Sequence, residues 1–298
     1  MPDLFIIPTK IYKMKRTFIL LLSLFSFLTA WTQTNVTWAE AQKIKSARVD
    51  VAYLANSPFF YQNEEGKLAG LEYDLLQAFA EWAKKEKGVT IEYRYFDLPS
   101  FDLVFNRITG GKNGAIGAAT VSINEKRSKF VNFSAPYLRN RSMLITSGEV
   151  PSLVYSSEIK AAFANLQAVT IQGSVHEKAL EALKKETLKD LRVTYLNNPD
   201  DILKVISSDP TFFGYVDAVT YWNYLQKNKD AFLKVQRTGE MGEEYFGFIF
   251  PKKSDWNLAF STFFDSGFGF TATKNYLKIL ESHLGPEIIE TVRIKGTE

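Results

Sequence analysis

The 298-residue sequence contains no cysteine and only two histidines, His176 and His283. Without cysteine the chain forms no disulfide and offers no thiol for an N-terminal lipid anchor. Two histidines far apart in the sequence do not form the clustered donor set of a typical metal site. Phosphate-binding loops, dinucleotide fingerprints and nucleophile elbows are absent as well. We therefore expect no metal, no cofactor and no lipoprotein anchor.

A second long hydrophobic run is missing after residue 33, which argues against a transmembrane sensor. The run that does occur, Phe18–Leu28, follows the basic stretch Lys13–Arg16 and precedes small residues. This order is typical of a secretory signal peptide, and the alternative is an N-terminal membrane anchor. We predict a signal peptide over residues 1–33, with Met14 as a candidate for the true start, and a soluble periplasmic protein.

Once residues 1–33 are removed, the chain has no excess of positive or negative charge. The whole chain has 36 Lys and Arg against 33 Asp and Glu, whereas residues 34–298 contain 32 of each. The pI of 8.7 therefore gives no indication of a nucleic-acid or membrane partner, and we expect no nucleic-acid binding.

Short apolar runs alternate with amphipathic helical patterns along the rest of the chain. Ala47–Leu54 and Val89–Phe96 are predicted as strands, and Glu72–Lys87 places its apolar residues on one helical face. The later expected strands are Ala168–Gln172, Arg192–Leu196, Phe212–Val219 and Tyr245–Phe250, and the later helices are Glu177–Lys189, Pro199–Ser207 and roughly 255–268 and 273–284. This alternation favours an α/β fold with ligands at the carboxyl ends of parallel strands.

The stretch Gly117–Tyr137 carries the candidate chemistry. A small-residue strand leads into the hydroxyls of Thr120 and Ser122, and a helical turn begins near Asn124. Hydroxyls and backbone N–H groups at a helix start can bind an anion, and Arg127 can fold back to pair with a carboxylate. On spacing alone, a capped surface helix with a solvated arginine is an equal alternative.

Motifs along the chain resemble those of family 3 extracytoplasmic solute-binding proteins, the polar amino-acid binding proteins of ABC uptake systems. The resemblance covers about residues 45–285. The matching positions are Pro58, Phe59, Gly66, Gly70, Leu71, Glu72, Asp74 and Leu75, then Thr120, Ser122, Arg127, Phe133, Ser134, Pro136 and Tyr137, then Gln172–Ser174, Gly214–Val219 and Tyr245–Lys253.

The resemblance implies a two-lobed periplasmic-binding-protein fold of type II with two hinge crossings. Lobe 1 would comprise residues 37–139 and 245–298, and lobe 2 residues 140–244. The crossings would fall near Tyr137–Ser142 and Glu243–Phe246. Ligand binding would then occur by hinge closure around a buried site.

The resemblance also implies residue roles. Arg127 would pair with the ligand α-carboxylate, assisted by Ser122, and Thr120 would offer its carbonyl to the α-ammonium. From the Gly173–Ser174 loop, Ser174 would donate to the carboxylate. The next position often carries a second hydroxyl in the family, and here it is Val175.

The family usually places an acidic residue five positions after the Asp of the Asp-Ala pair, which from Asp217 leads to Trp222. Trp222 would be either a ligand contact through a cation–π interaction or a core aromatic. Without a carboxylate there, an α-amino group on the ligand is in doubt. Tyr53, Asn56 and Phe59 are further candidates for ligand contacts.

These features predict a periplasmic binding protein that captures an amino acid or related small carboxylate for ABC-type uptake. It would be a monomer, would work with a membrane permease and would not be an enzyme. One alternative is a cyclohexadienyl-dehydratase-like enzyme on the same scaffold, which needs an acid with a raised pKa in the cleft, with Glu243 and Glu244 as candidates. Another is a sensory binding protein without transport.

Overall fold

The computed structural model describes residues 36–239, 242–265 and 267–295. The predicted signal peptide and the candidate start at Met14 lie outside these residues. The helices are α1 (Trp38–Ile44), α2 (Leu71–Trp82, extended by a π-helical turn over Ala83–Lys87), α3 (Phe101–Thr109), α4 (Glu125–Ser128), α5 (Ile159–Ala162), α6 (Val175–Glu186), α7 (Pro199–Ser208), α8 (Ala218–Lys227), α9 (Trp256–Phe263), α10 (Lys274–Leu284) and α11 (Pro286–Val292). The strands are β1 (Ser46–Tyr53), β2 (Tyr61–Gln62), β3 (Leu68–Ala69), β4 (Thr90–Asp97), β5 (Ala115–Ala118), β6 (Val131–Phe133), β7 (Leu138–Ser147), β8 (Gln167–Ile171), β9 (Val193–Leu196), β10 (Phe212–Asp217), β11 (Leu233–Val235), β12 (Glu243–Phe246) and β13 (Ile249–Pro251).

The first sheet has the strand order β4-β1-β5-β13-β6. Strand β1 is parallel to β4 and β5, and β13 runs antiparallel to β5 and β6. The chain leaves β1 at Leu54 and β5 at Ala119, so both segments enter the cleft from the carboxyl edge of this sheet. Parallel strands present their following loops at one edge, and this geometry brings separate motifs together.

The second sheet has the order β11-β7-β10-β8-β9. Here β8 is parallel to β9 and β10, while β7 runs antiparallel to β10. The segments that follow β8 and β10, beginning at Gln172 and Ala218, lie at the carboxyl edge that faces the first sheet's pocket residues.

Two antiparallel strands cross between the sheets. Strand β7 pairs through Leu138–Arg141 with β12, from Glu243 opposite Arg141 to Phe246 opposite Leu138. Its continuation, Ser142–Ser147, pairs with β10 and β11 of the second sheet. The predicted two-lobed α/β fold with two crossings is thus confirmed, whereas the exact lobe boundaries stay a prediction.

Two predicted strands differ in the structure. Tyr245–Phe250 is not one strand, because Phe246 pairs with β7 at the crossing while Ile249 pairs with β5 and β6 of the first sheet. Gly247 lies at this transition. The predicted strand Phe212–Val219 ends at Asp217, and Ala218 and Val219 already belong to α8.

Much of the aromatic content forms the core of the first lobe. Phe79 of α2 stacks on Phe260 of α9 with ring centroids 3.7 Å apart, and Trp38 meets Trp256 edge-on at 5.1 Å. Trp256 is fully buried and donates its indole N–H to the Val36 carbonyl. This packing fixes the position of α2, whose first turn carries the pocket residue Glu72.

None of the described helices is both long and apolar enough to cross a membrane.

Candidate ligand-binding cleft

Arg127 is buried, with 7% of its surface exposed, at the interface of the two lobes. Asn124 caps α4 by accepting the Arg127 backbone N–H at 2.9 Å, so the cap is an amide and not the hydroxyl of Ser122 or Thr120. The guanidinium Nη1 donates to the Ser122 carbonyl and Nη2 to the Gly173 carbonyl, both at 3.1 Å. The alternative of a solvated arginine on a surface helix is therefore wrong.

Several acidic groups surround this guanidinium. Burial lowers the pKa of Arg127 to about 10, and the carboxyl groups of Glu244, Asp217 and Asp102 oppose the change. The guanidinium stays positively charged at neutral pH. Its plane also lies near the Phe101 ring, 4.8 Å from the ring centroid, and this contact adds cation–π stabilisation.

A pocket opens beside Arg127 between the two sheets. Seven of the ten predicted ligand-binding residues line it, and its other walls are largely apolar. The predicted lining residues are Asn56, Phe59, Thr120, Ser122, Arg127, Ser174 and Val175, and the further ones are Leu54, Glu72, Phe101, Ala119, Ile171, His176, Pro199, Ile202, Tyr215, Val216 and Asp217. Apolar walls with a few convergent polar groups are typical of small-molecule sites.

Thr120 and Ser122 enter the pocket from the segment after β5. Thr120 has a φ of 47°, a left-handed conformation that β-branched residues rarely adopt, and its N–H donates to Glu72 Oε1 at 3.0 Å. The Ser122 hydroxyl donates to Glu244 Oε2 at 2.6 Å. An internal carboxylate therefore already engages the hydroxyl that was predicted to assist a ligand carboxylate.

The loop after β8 supplies the other wall. Ser174 caps α6 by accepting the Glu177 backbone N–H at 3.1 Å. Gly173 does not line the pocket, but its carbonyl accepts from Arg127 and its φ is 76°. A Cβ at Gly173 would lie 2.2 Å from Asp102 Oδ1, so an added methyl group would force the Asp102 carboxylate to move.

Two predicted contacts lie elsewhere. Tyr53, at the end of β1, is 2% exposed and stacks on Phe60 with centroids 4.1 Å apart, because its side chain points into the core of the first lobe. Trp222 lies in the second turn of α8, partly buried against that core, and lines a separate groove with His283 and Pro286. The helix that begins at Ala218 carries Trp222 away from the pocket.

The carboxyl group that faces the pocket from this strand is Asp217 itself. Asp217 is the last residue of β10 and accepts from the Asn140 amide at 2.6 Å. Burial raises the pKa of Asp217 to about 8, and the nearby Glu244 adds to the rise. Asp217 lies in a matching sequence motif. The expected ligand contact was placed five positions further on, at Trp222, and no role was predicted for Asp217 at the end of the strand.

A buried polar cluster continues from Asp217 toward the crossing strands. The Ser142 hydroxyl donates to Glu244 Oε1 and lies 2.8 Å from His176 Nε2. Burial lowers the pKa of His176 to about 4, so its 3.6 Å contact with Asp217 is not an ion pair at neutral pH. Ser142 and Asn140 had no sequence signal, because their neighbours in space are distant along the chain.

Glu72 is a further pocket residue. It lies in a matching sequence motif, but no role was predicted for it. It is 1% exposed and its Oε1 accepts from the Tyr137 hydroxyl as well as from the Thr120 N–H. Burial raises the pKa of Glu72 to about 7, although these two hydrogen bonds lower it.

No metal-binding cluster of three or more His, Cys, Asp or Glu side chains occurs in the part of the chain that the structure describes.

Comparison with known proteins identifies the family. The model of the bacterial extracellular solute-binding proteins, family 3, matches residues 47–264. The chain belongs to this family. The matched range contains Arg127, Asp217 and the whole pocket, so the family resemblance seen in the motifs is confirmed.

Among curated relatives of this family member, a probable histidine-binding protein of Campylobacter jejuni is 24% identical over 67% of this chain and 71% of its own length. The membrane-bound lytic murein transglycosylase F of Saccharophagus degradans is 25% identical over 73% of this chain. The alignment covers only 41% of that relative's length.

Solved structures of similar fold include amino-acid-binding proteins. An ancestral arginine-binding protein bound to arginine superposes with a TM-score of 0.64 at 23% identity, covering 80% of this chain and 98% of that one. An ancestral amino-acid-binding protein described as a precursor of cyclohexadienyl dehydratase gives 0.63 at 20% identity, with coverage of 83% and 98%. Most of these structural neighbours are binding proteins. Some relatives are named as a lytic transglycosylase or as a precursor of a dehydratase, which leaves open whether this chain has an enzymatic activity.

Proposed function

We propose that this protein captures a free amino acid in the periplasm and delivers it to the permease of an ABC-type transporter. The observation that carries the proposal is the buried Arg127 guanidinium, held by carbonyls of both lobes beside a pocket that also contains the Asp217 carboxyl group. A cation and a carboxyl group in one closed cleft match the two charged ends of an amino acid.

In this proposal Arg127 binds the α-carboxylate and Asp217 binds the α-ammonium. Ser174 and the Thr120 carbonyl assist from the two walls, and Val175 contributes apolar contact. Ser122 would assist through its backbone N–H, because its hydroxyl donates to Glu244. Burial makes the Asp217 carboxyl group costly to ionise, so a ligand cation beside it would offset that cost. In this proposal Asp217, and not Trp222, is the partner of the ligand α-amino group.

The wider biological setting is part of the proposal. The lobes, at residues 37–139 with 245–298 and at 140–244, would close as rigid bodies about β7 and β12. The signal peptide over residues 1–33 would direct the chain to the periplasm, where it would act as a monomer with its permease. The family's extracellular setting supports this location.

Calorimetric titration with a panel of amino acids and their matched deaminated acids tests the ligand class. At least one amino acid should bind, and its deaminated analogue should bind much more weakly. Arg127→Ala should weaken binding by about 30-fold or more, since removing one partner of a buried charged pair costs about 2–5 kcal/mol. Lys126→Ala, an exposed cation on the same helix, is the matched control and should bind as the wild type does.

Unchanged binding in Arg127→Ala would show that the arginine does not contact the ligand. Circular dichroism of this variant must match the wild type, because Arg127 also bridges the two lobes. Arg127→Lys keeps the charge but loses the two-pronged donor geometry, so an intermediate affinity is expected.

A second candidate is an enzyme on the same scaffold, and one observation favours it. The raised pKa of Asp217 leaves its carboxyl group protonated at neutral pH, which is what a general acid in the cleft requires. Glu243, one of the two acids first considered, is exposed and pairs with Arg139, and it does not line the pocket. Consumption of an absorbing cyclohexadienyl substrate, lost in Asp217→Asn, would support the enzyme over the binding protein.

A further inference from the structure

Two buried acceptor atoms in the pocket have no partner among the described residues. They are Oε2 of Glu72 and Oδ1 of Asn56, on residues that are 1% and 5% exposed. Both residues line the cleft from the first lobe, on either side of Phe59 in sequence. A buried acceptor without a hydrogen bond costs about 1–3 kcal/mol, so native proteins rarely leave two in one site.

The backbone contacts hold both side chains firmly at this wall. The Asn56 N–H donates to the Phe60 carbonyl at 2.7 Å, and its own carbonyl accepts from the N–H groups of Phe59 and Phe60 at 2.8 Å. Glu72 N–H donates to the Phe59 carbonyl at 2.8 Å. Backbone hydrogen bonds therefore join the turn that carries Asn56 to the start of α2, which carries Glu72.

The charges in the pocket also do not balance against a simple zwitterion. Arg127 matches an α-carboxylate and Asp217 an α-ammonium, as proposed above. Glu72 then remains as a further carboxyl group without a cation, and no other basic side chain among the described residues lines this pocket except the neutral His176. Burial raises the pKa of Glu72, and a cation beside Oε2 would favour its ionised form.

We infer that Glu72 and Asn56 form a second polar subsite that accepts hydrogen bonds from a cationic group at the end of the ligand side chain. This inference rests on the proposed function and assigns the ligand class as an amino acid with a side-chain amine or guanidinium. The apolar walls, which include Leu54 and Phe59, would pack against the aliphatic stem.

The competing explanation is that Glu72 is only structural, since Oε1 ties α2 to Thr120 and Tyr137. A structural role uses Oε1 and predicts equal effects on all ligands, whereas a subsite uses Oε2 and predicts an effect confined to cationic side chains. Glu72→Gln separates these roles, because the glutamine carbonyl can keep both accepted hydrogen bonds while the negative charge is lost.

The test compares L-lysine with L-norleucine, which has the same chain without the amine, by calorimetric titration. The wild type should bind lysine at least tenfold more tightly than norleucine. Glu72→Gln should weaken lysine binding by about tenfold to a hundredfold, the range for a lost hydrogen bond to a charged group, and leave norleucine within about threefold. Asn56→Asp adds a carboxylate at the second acceptor and should strengthen lysine binding.

The matched control is Glu81→Gln, an exposed acid on the same helix that should change neither affinity. Equal affinities of lysine and norleucine for the wild type would overturn the subsite but leave amino-acid binding intact. An equal loss for both ligands in Glu72→Gln would assign Glu72 a structural role only. Failure of every amino acid to bind would instead refute the proposed function itself, and the subsite with it.

Discussion

At the scale of single residues, the decisive feature is where each charged side chain meets the cleft. Arg127 was identified from its spacing and family motif, and its contacts with the Ser122 and Gly173 carbonyls show that it bridges the two lobes. Asp217 also lies in one of the matching motifs, but there it served only as the position from which Trp222 was reached by counting five residues. Its importance depends on the strand ending at that residue, which the pattern of apolar residues did not reveal.

Asp217 should make stability depend on pH in a direction opposite to that of a typical surface salt bridge. Its pKa is raised from 3.8 to about 8 in the folded chain, so the native state binds the proton more tightly than the unfolded state does. Its contribution to stability is therefore complete below about pH 4 and is lost as the pH rises toward 8. Asp217→Asn should gain stability relative to the wild type over this interval.

Urea denaturation of the unliganded protein at several pH values measures this effect. The comparison with the wild type isolates Asp217 from Glu72, whose raised pKa acts in the same direction, and from His176, whose lowered pKa acts oppositely between about pH 4 and 6.5. Asp190→Asn, which changes an exposed acid, is the control. A stability difference between Asp217→Asn and wild type that does not vary with pH would contradict the assignment.

At the scale of elements, short loops at the carboxyl ends of strands decide how closely the lobes approach. The turn at Gly173 comes within contact of Asp102 in the first turn of α3, and its carbonyl receives Arg127. The φ of 76° at this turn favours glycine. Gly173 thus lies at a contact between the two lobes and not in the pocket lining.

Gly173→Ala should weaken ligand binding by about threefold to tenfold, because the added methyl group displaces the Asp102 carboxylate beside the carbonyl that accepts from Arg127. Gly66→Ala is a matched control, since Gly66 has a similar φ of 72° but open space around its Cβ position. Both variants should lose about 1 kcal/mol of unfolding free energy from backbone strain, measured by urea denaturation. An affinity of Gly173→Ala equal to that of Gly66→Ala would show that closure does not require this approach.

At the scale of the whole molecule, two crossing strands connect lobes that meet across the cleft. Further contacts between the lobes come from α8, where the Asn223 amide donates to the Ser57 carbonyl at 3.2 Å and Lys227 Nζ to the Ser57 hydroxyl at 3.1 Å. Each of these hydrogen bonds contributes about 1 kcal/mol or less, so they do not hold the lobes together without help. A ligand that contacts both lobes would shift the population toward the closed form.

Small-angle X-ray scattering should detect this shift. The radius of gyration should fall when a binding amino acid saturates the wild type, because in the proposed hinge closure the lobes would rotate together about β7 and β12. Arg127→Ala at the same ligand concentration should keep the larger value. A radius that is identical with and without bound ligand in the wild type would contradict hinge closure as the mode of capture.

The sequence by itself determined the α/β class, the order of most strands and helices, and the family motifs that include Arg127 and Ser174. These features depend on local periodicity and on short motifs, which are written in neighbouring residues. Only the tertiary structure decided that Asp217 and Glu72 share one pocket with Arg127, and that Trp222 and Tyr53 do not line it. The reason is that the pocket is assembled from the carboxyl ends of strands in two sheets, so its membership depends on long-range strand pairing and on the residue at which each strand ends.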